Sequence, residues 1–218
     1  MKLGIGVGAW KEQFDSLGMP FDKRGKMMDE TFYGLREIWT SPISTYEGNL
    51  VRFKDVEVYP KPLQKPYPPV LIGGHSKASL RRVAEYGDGW IPTTDRSPEE
   101  VKEGMDTIYD LSQKFGHKEK EFQVISEIHA CISETDEKAI QKVSKTLLRE
   151  ETLKTFMISS GSDMIERTLV GSTSTIIKKI ERYIEAGITH FELKPIYISI
   201  EELLKQMSLF RDRIMPCY

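Results

Sequence analysis

The sequence contains few cysteines and no long apolar segment. Its two cysteines, Cys131 and Cys217, lie far apart and outside any Cys-x-x-Cys or His/Cys cluster, so we expect a reducing compartment, no structural zinc and no other metal site. No window approaches the roughly 18 apolar residues that a membrane span needs. The opening MKLGIGVGAW is rich in glycine and lacks the cleavage site of a signal peptide. These absences predict a cytoplasmic protein without a membrane segment.

Neither sign of charge dominates the sequence. The 31 basic residues nearly balance the 33 acidic ones, and no Lys/Arg run forms the stripe that a nucleic-acid backbone requires, so nucleic acid is not an expected partner. With 218 residues, of which 39% are hydrophobic, the chain is long enough to bury a core. We expect one folded domain over residues 1–218.

Strand and helix patterns alternate along the chain with short connections. This alternation is typical of a parallel sheet covered by helices, so the predicted fold class is α/β. Five strands are predicted, at Leu3–Val7, Val70–Ile72, Gly89–Pro92, Phe122–Cys131 and His190–Ile196. The predicted helices cover about residues 22–40, 76–87, 97–116, 135–147, 173–186 and 200–214.

Three local features complete this pattern. Residues 44–60 are predicted to form an inserted β-hairpin, because apolar residues alternate on both sides of a Glu47-Gly48-Asn49 turn. Gly87 is expected to end its helix in the left-handed cap conformation. The segment SSGSDMIERTLVGS, residues 159–172, is expected to be the least structured part of the chain.

Polar residues inside two predicted strands indicate a cleft or a barrel interior. Strands covered by helices on both faces are usually continuous apolar runs, yet Glu127 and His129 interrupt one strand and His190, Glu192 and Lys194 interrupt another. A (β/α)8 barrel would supply a polar interior, whereas an open doubly wound sheet is the competing architecture. The simpler interpretation is that the five side chains neutralise one another as a structural network. The alternative is a direct role in catalysis.

Four segments resemble, in the same order, parts of the luciferase-like monooxygenases. They are LGIGVGAWKEQFDSLGMPFDKRGKMMDE, YEGNLVRFKDVEVYPKPLQKPYPPVLIGG, SKASLRRVAEYGDGWIP and AGITHFELKP. This superfamily contains bacterial luciferase, flavin-dependent alkane and sulfonate monooxygenases, and deazaflavin-dependent reductases and dehydrogenases. The resemblance implies a TIM-type α/β barrel in which the five predicted strands are the fourth to the eighth. The first three strands and their helices would be absent, so the expected fold is an incomplete barrel with a hairpin insertion.

The same resemblance implies a function. It points to an oxidoreductase or monooxygenase that acts on a small organic substrate with FMN or the deazaflavin coenzyme F420. The catalytic histidine of luciferases and several ring contacts of the deazaflavin enzymes come from the part that would be absent, so no catalytic residue is assigned. The alternative is a catalytically incomplete cofactor-binding remnant, or a fragment of a longer enzyme. We expect a homodimer, or a second chain that supplies the missing strands.

One candidate site lies where the strand Val70–Ile72 passes directly into a helix. A helix N-terminus offers unpaired amides and a partial positive charge, and glycines let the backbone approach an anion. The resemblance implies that this loop binds the cofactor phosphate through Gly73, Gly74, His75, Ser76 and Ser79. The alternative is that Ser76 is an ordinary N-cap and the glycines only turn the chain.

A second glycine-rich segment, GIGVGAW, follows the first strand. Its spacing is G-x-G-x-G and no clear helix is predicted after it, which argues against a dinucleotide fingerprint. The resemblance implies that Gly6, Val7, Gly8 and Trp10 line the cofactor cleft, although Trp10 is equally compatible with a core position. Val7 stands where bacterial luciferase carries a phosphate-binding arginine, which leaves the deazaflavin branch open.

Overall fold

Eight strands and seven α-helices make up the part of the chain that the structure, a computed structural model, describes: residues 1–117, 120–147 and 165–218. The strands are β1 (Leu3–Ile5), β2 (Ser44–Glu47), β3 (Arg52–Val56), β4 (Val70–Gly73), β5 (Gly89–Ile91), β6 (Gln123–Ser133), β7 (Leu169–Ser172) and β8 (His190–Pro195). The helices are α1 (Lys11–Ser16), α2 (Arg24–Thr40), α3 (Lys77–Tyr86), α4 (Pro98–Lys114), α5 (Asp136–Leu147), α6 (Thr173–Glu185) and α7 (Ile200–Arg213). None of these helices is long and apolar enough to cross a bilayer.

The main sheet is entirely parallel. Its strands follow the order β1-β4-β5-β6, and both β7 and β8 pair with β6. Ala130 of β6 pairs with Leu169 and also with Pro195, so β7 and β8 lie on opposite edges of this long strand. All five predicted strands are present within one or two residues of their expected ends. The α/β fold class is therefore confirmed.

Two elements were not predicted, and one cap has another conformation. Helix α1 begins three residues after Gly8, and Leu169–Ser172 is a strand although it was expected to be irregular; residues 159–164 of that segment lie outside the described part. Both elements are short, with six and four residues, whereas helical periodicity is read over about 11–18 residues and strand alternation over about 4–8. Gly87 has φ −75° and is extended, not left-handed. Crowding explains the glycine there, because an added Cβ would lie 2.8 Å from Ile72 Cγ1.

Strands β2 and β3 form a separate antiparallel pair. The buried carboxylate of Glu30 on α2 holds their turn, since Oε2 accepts hydrogen bonds from the amides of Leu50 at 2.6 Å and Val51 at 3.0 Å. Gly48 approaches the same carboxylate so closely that a Cβ would lie 2.4 Å from Glu30 Oε2. One side chain thus fixes the hairpin to the helix before it.

Burial alternates along β6 and separates two faces of the sheet. Val124, Ser126, Ile128 and Ala130 are buried, whereas the residues between them stay partly exposed. The buried side packs against helix residues that include Val83, Ile108, Ile176 and Tyr183. The other side carries the set that we call the polar face: Glu127 and His129 on β6, and His190, Glu192 and Lys194 on β8. The register pairs Glu127 with Glu192 and His129 with Lys194.

A partly buried ion pair joins α2 to α3. Arg82 is 6% exposed, and its Nε and Nη2 donate to the two carboxylate oxygens of Asp29 at 2.5 and 3.1 Å. Tyr86 Oη also donates to Asp29, at 2.9 Å. Burial by itself would raise the pKa of Asp29, but the hydrogen bonds from Arg82 and Tyr86 outweigh it and hold this pKa below its usual value.

Replacing Asp29 with alanine should lower the free energy of unfolding by about 3 kcal/mol, because the buried Arg82 charge loses its partner. Asp15→Ala, which breaks the exposed pair with Lys11, is the matched control and should cost under about 0.5 kcal/mol. Since the pKa of folded Asp29 is depressed, its contribution is complete above about pH 3.9, the usual aspartate value, and is lost as the pH falls through the folded pKa. Urea unfolding measures both variants, and equal losses would contradict the assignment.

Candidate active site

Parallel pairing brings the two glycine-rich segments to one edge of the sheet. Ile5 pairs with Ile72, so Gly6 and Gly73 follow neighbouring strand ends. A Cβ added to Gly73 would lie 3.4 Å from the Ile5 carbonyl oxygen and 3.9 Å from Gly6 Cα. The loops after β1 and β4 are therefore adjacent, at the carboxyl edge where the sites of α/β barrels are found.

Gly74 shapes the loop between β4 and α3. Its φ is +108°, a left-handed conformation that favours glycine, and a Cβ there would lie 2.7 Å from Ser79 Oγ. Its amide donates to the Ile91 carbonyl at 2.9 Å, and its carbonyl accepts from Nε1 of the buried Trp90 at 2.6 Å. Strand β5 thus holds the loop through both the amide and the carbonyl group of Gly74.

Ser76 caps α3. Its Oγ accepts a hydrogen bond from the Ser79 amide at 3.1 Å and lies 2.9 Å from Ser79 Oγ. Ser76 is therefore the N-cap of α3. The amides of Lys77 and Ala78, the first two of the helix, have no intrahelical acceptor. Both residues are exposed, as is Ser76, so the start of the helix is accessible from solvent.

His75 is held by two side chains from the loop after β5. Its Nδ1 is 3.1 Å from Thr93 Oγ1, and its Nε2 accepts from Arg96 Nη2 at 2.9 Å, because a guanidinium can only donate. Burial and the positive charge of Arg96 lower the pKa of His75, against an opposing effect of Glu100. The imidazole is accordingly neutral at pH 7. Arg96, which the sequence did not single out, brings a positive charge beside the loop and lines a cavity of about 240 Å³ together with His75 and Trp90.

The four candidates after β1 have different surroundings. Gly6 is exposed and an added Cβ would have nothing within 4 Å, whereas Val7 packs partly against the core. Gly8 has φ +80°, and a Cβ there would contact the Phe14 ring at 2.9 Å. Trp10 is 56% exposed, so the core interpretation of this tryptophan is wrong. It directly precedes α1, which has no buried residue.

Three consecutive residues after β5 contact three separate parts of this edge. Thr93 contacts His75 as described, Thr94 Oγ1 donates to Glu127 Oε2 at 2.9 Å, and Asp95 Oδ2 lies 2.6 Å from His129 Nδ1. Asp95 has φ +58°. Apart from its place at the carboxyl end of a strand, this loop carries no pattern that marks it in the sequence. It links the β4–α3 loop to the polar face.

Two side chains of the polar face, Glu127 and His129, each have a close charged or polar partner. Lys194 Nζ donates to Glu127 Oε2 at 2.5 Å, as the network interpretation predicts. The hydrogen bond from Lys194, with help from Thr94, lowers the pKa of Glu127 although burial acts in the opposite direction. His129 pairs with Asp95, which lies outside the predicted network, and His190 Nδ1 contacts Thr189 Oγ1 at 2.9 Å.

A parallel α/β sheet with a glycine loop and a helix N-terminus at its carboxyl edge is typical of barrel-type α/β proteins. Residues 1–190 match the luciferase-like monooxygenase family. The chain belongs to this family.

Named relatives fall in two cofactor classes. The FMNH2-dependent dimethylsulfone monooxygenase of Pseudomonas putida is 34% identical over 118 residues, which are 52% of this chain and 32% of that protein. The F420-dependent glucose-6-phosphate dehydrogenase of Microbacterium testaceum is 24% identical over 98% of this chain and 67% of its own length. The chain therefore spans about a third of the former relative.

The fold of a solved relative confirms the TIM-type architecture. The monooxygenase RslO1 of Streptomyces bottropensis superposes with a TM-score of 0.83 and 22% identity, over 100% of this chain and 68% of that chain. β1, β4, β5, β6 and β8 are thus part of a TIM-like barrel, as the resemblance implied.

Replacing Lys194 with methionine should raise the pKa of Glu127, because its strongest stabilising hydrogen bond is lost while burial remains. A ¹³C NMR titration of the glutamate side chains measures this change. Lys205→Met, which breaks the exposed pair between Lys205 and Glu201 on α7, should leave the Glu127 titration where it is. Identical Glu127 curves in the two variants would rule out Lys194 as the cause.

Proposed function

We propose that the chain binds the phosphate of a flavin or deazaflavin cofactor in an oxidoreductase or monooxygenase acting on a small organic substrate. The observation that carries this proposal is the solvent-accessible N-terminus of α3 directly behind Gly73 and Gly74. Backbone amides at such a position favour an anion through hydrogen bonds and through the helix dipole. The family, with FMNH2- and F420-dependent members among its relatives, supplies the cofactor class.

The residues at the loop fit a phosphate group. Gly74 has no side chain in the space that a Cβ would fill beside Ser79 Oγ, and the hydroxyls of Ser76 and Ser79 lie at the same helix start. We assign phosphate binding to Gly73, Gly74, Ser76 and Ser79, with His75 contributing its backbone amide. Gly6, Val7, Gly8 and Trp10 would border the rest of the cofactor. When bound, the cofactor supplies hydride or oxygen transfer, and the protein orients it and excludes water.

An alternative function is cofactor binding without turnover. The proposed phosphate loop lies in the part that is shared with RslO1, which is 100% of this chain and 68% of that chain. The two functions differ in one result: both require cofactor binding, but only the first requires oxidation of a substrate by the loaded protein.

The cofactor proposal predicts that FMN or F420 raises the melting temperature. At a ligand concentration of 100 Kd the stabilisation is about 2.7 kcal/mol, or roughly 5–10 °C for a chain of this size. Riboflavin, which is FMN without its phosphate, is the matched control for FMN, and the deazaflavin chromophore without its phosphate-bearing tail serves for F420. Each control should give a clearly smaller shift. If neither complete cofactor stabilises the protein, the proposal fails.

Ser76→Ala separates the structural role of Ser76 from its proposed binding role. Loss of an N-cap costs about 1 kcal/mol, and Ser199→Ala removes an equivalent cap, since Ser199 Oγ accepts from the Glu202 amide at 3.2 Å. Both variants should lose similar stability. Only Ser76→Ala should also reduce the preference for FMN over riboflavin, or for F420 over its shortened form. If both variants kept the same preference for the complete cofactor over its phosphate-free form, Ser76 would not be part of the phosphate site.

We also propose that the outer edges of β1 and β8 pair with a second chain, either in a homodimer or in a complex with a chain that supplies further strands. Each of these strands has one neighbour in the described sheet, and an unpaired edge is a template for association. Sedimentation equilibrium of the purified protein should give a mass of twice 25.1 kDa for the homodimer. A monomer at every concentration would contradict the homodimer.

A further inference from the structure

We propose that His129, held in place by Asp95, accepts a proton from a substrate hydroxyl at its Nε2 atom and returns it to the oxyanion in the reverse step. This inference rests on the proposed function for its substrate. The geometry around His129 does not depend on the proposed function, because it consists of contacts among the loop after β5, β6 and β8.

Asp95 fixes the imidazole through both carboxylate oxygens. Oδ2 lies 2.6 Å from His129 Nδ1, and Oδ1 accepts from the His129 backbone amide at 2.9 Å. The Asp95 amide in turn donates to the Glu127 carbonyl at 3.2 Å. A carboxylate can only accept, so Nδ1 carries a proton, and in the tautomer that this contact selects Nε2 is an acceptor.

Nε2 has no hydrogen-bond partner among the described residues. The buried side-chain nitrogen and oxygen atoms without a partner in this part of the chain are Arg24 Nε and Gln123 Oε1. His129 Nε2 is not one of them, so it retains contact with solvent although the side chain is only 13% exposed. The ring is therefore anchored on one nitrogen and open on the other, which is the arrangement of a positioned acid or base.

The residue that anchors His129 is close to one that contacts the proposed cofactor loop. Thr93 contacts His75 and Asp95 contacts His129, and the Cα atoms of Thr93 and Asp95 are at most about 7 Å apart. The other charged groups near His129 are Glu127 on its own strand and Lys194 on β8, which neutralise each other. His129 is thus the titratable side chain of this cluster with an unoccupied nitrogen.

The proposed step is a simple proton transfer. The substrate O–H bond breaks, its electron pair stays on oxygen, and the proton forms an N–H bond at Nε2. The resulting imidazolium pairs with the Asp95 carboxylate. General acid–base catalysis of this kind typically contributes about 10²–10⁴-fold in rate. A purely structural tie between the loop and β6 would need Nδ1 and the backbone amide, but not an open Nε2.

Histidine ¹⁵N NMR tests the tautomer without a cofactor. At pH 8 the His129 signals, assigned by their loss in His129→Gln, should show protonated Nδ1 and bare Nε2. In Asp95→Asn this single tautomer should become a mixture. Protonated Nε2 in the wild-type protein, or an unchanged tautomer in Asp95→Asn, would overturn the proposal.

Titration with 2-propanol tests the acceptor role. The alcohol should shift the Nε2 resonance of His129 saturably, whereas acetone, which has the same carbon skeleton but no O–H donor, should not. His190, at the other end of the polar face and exposed, is the internal control. If His190 responded as His129 does, or if acetone shifted the His129 resonance as 2-propanol does, the proton-acceptor role would be excluded. These outcomes are independent of whether FMN or F420 stabilises the protein, so the two proposals fail separately.

Discussion

Parallel pairing of β1, β4, β5 and β6 is the constraint on which the rest of the site depends. Because all four strands run in the same direction, every loop that leaves their carboxyl ends emerges at one edge. The β1 and β4 loops become neighbours, and the loop after β5 reaches His75 on one side and β6 on the other. Residues far apart in sequence are collected there without any covalent or metal link between them among the described residues.

The helix cap and the proposed anion site lie in the same segment, the start of α3. Ser76 Oγ caps the helix through the Ser79 amide, and this bond leaves the next helix amides oriented outward. The arrangement at Ser76 is therefore compatible both with a structural helix cap and with an anion-binding site. Trp90 has a similar double effect, since its burial completes the core while its indole N–H fixes the Gly74 carbonyl. The loop is held by the core and is not a separate appendage.

Local signals predicted most of the fold, and they failed where the signal was short or non-local. Strand and helix ends were predicted closely because apolar periodicity, serine caps and the capping box at Ser97 act within a few residues. Strand β7 was missed because four residues containing Gly171 show no clear period. The polar-face network was right for Glu127 and Lys194, whose strands were both predicted, but it omitted Asp95 because that residue lies in a loop.

The sequence by itself determined the α/β class, the positions of five strands, the glycine loop and the cap at Ser76, since each depends on neighbouring residues. Tertiary structure alone decided which polar groups meet. Asp95 and His129 are 34 residues apart, and their contact requires β5 beside β6, a left-handed Asp95 and the register of the sheet. The exposure of Trp10 was also decided by tertiary structure alone, because no local property of an aromatic residue distinguishes an exposed position from a core position.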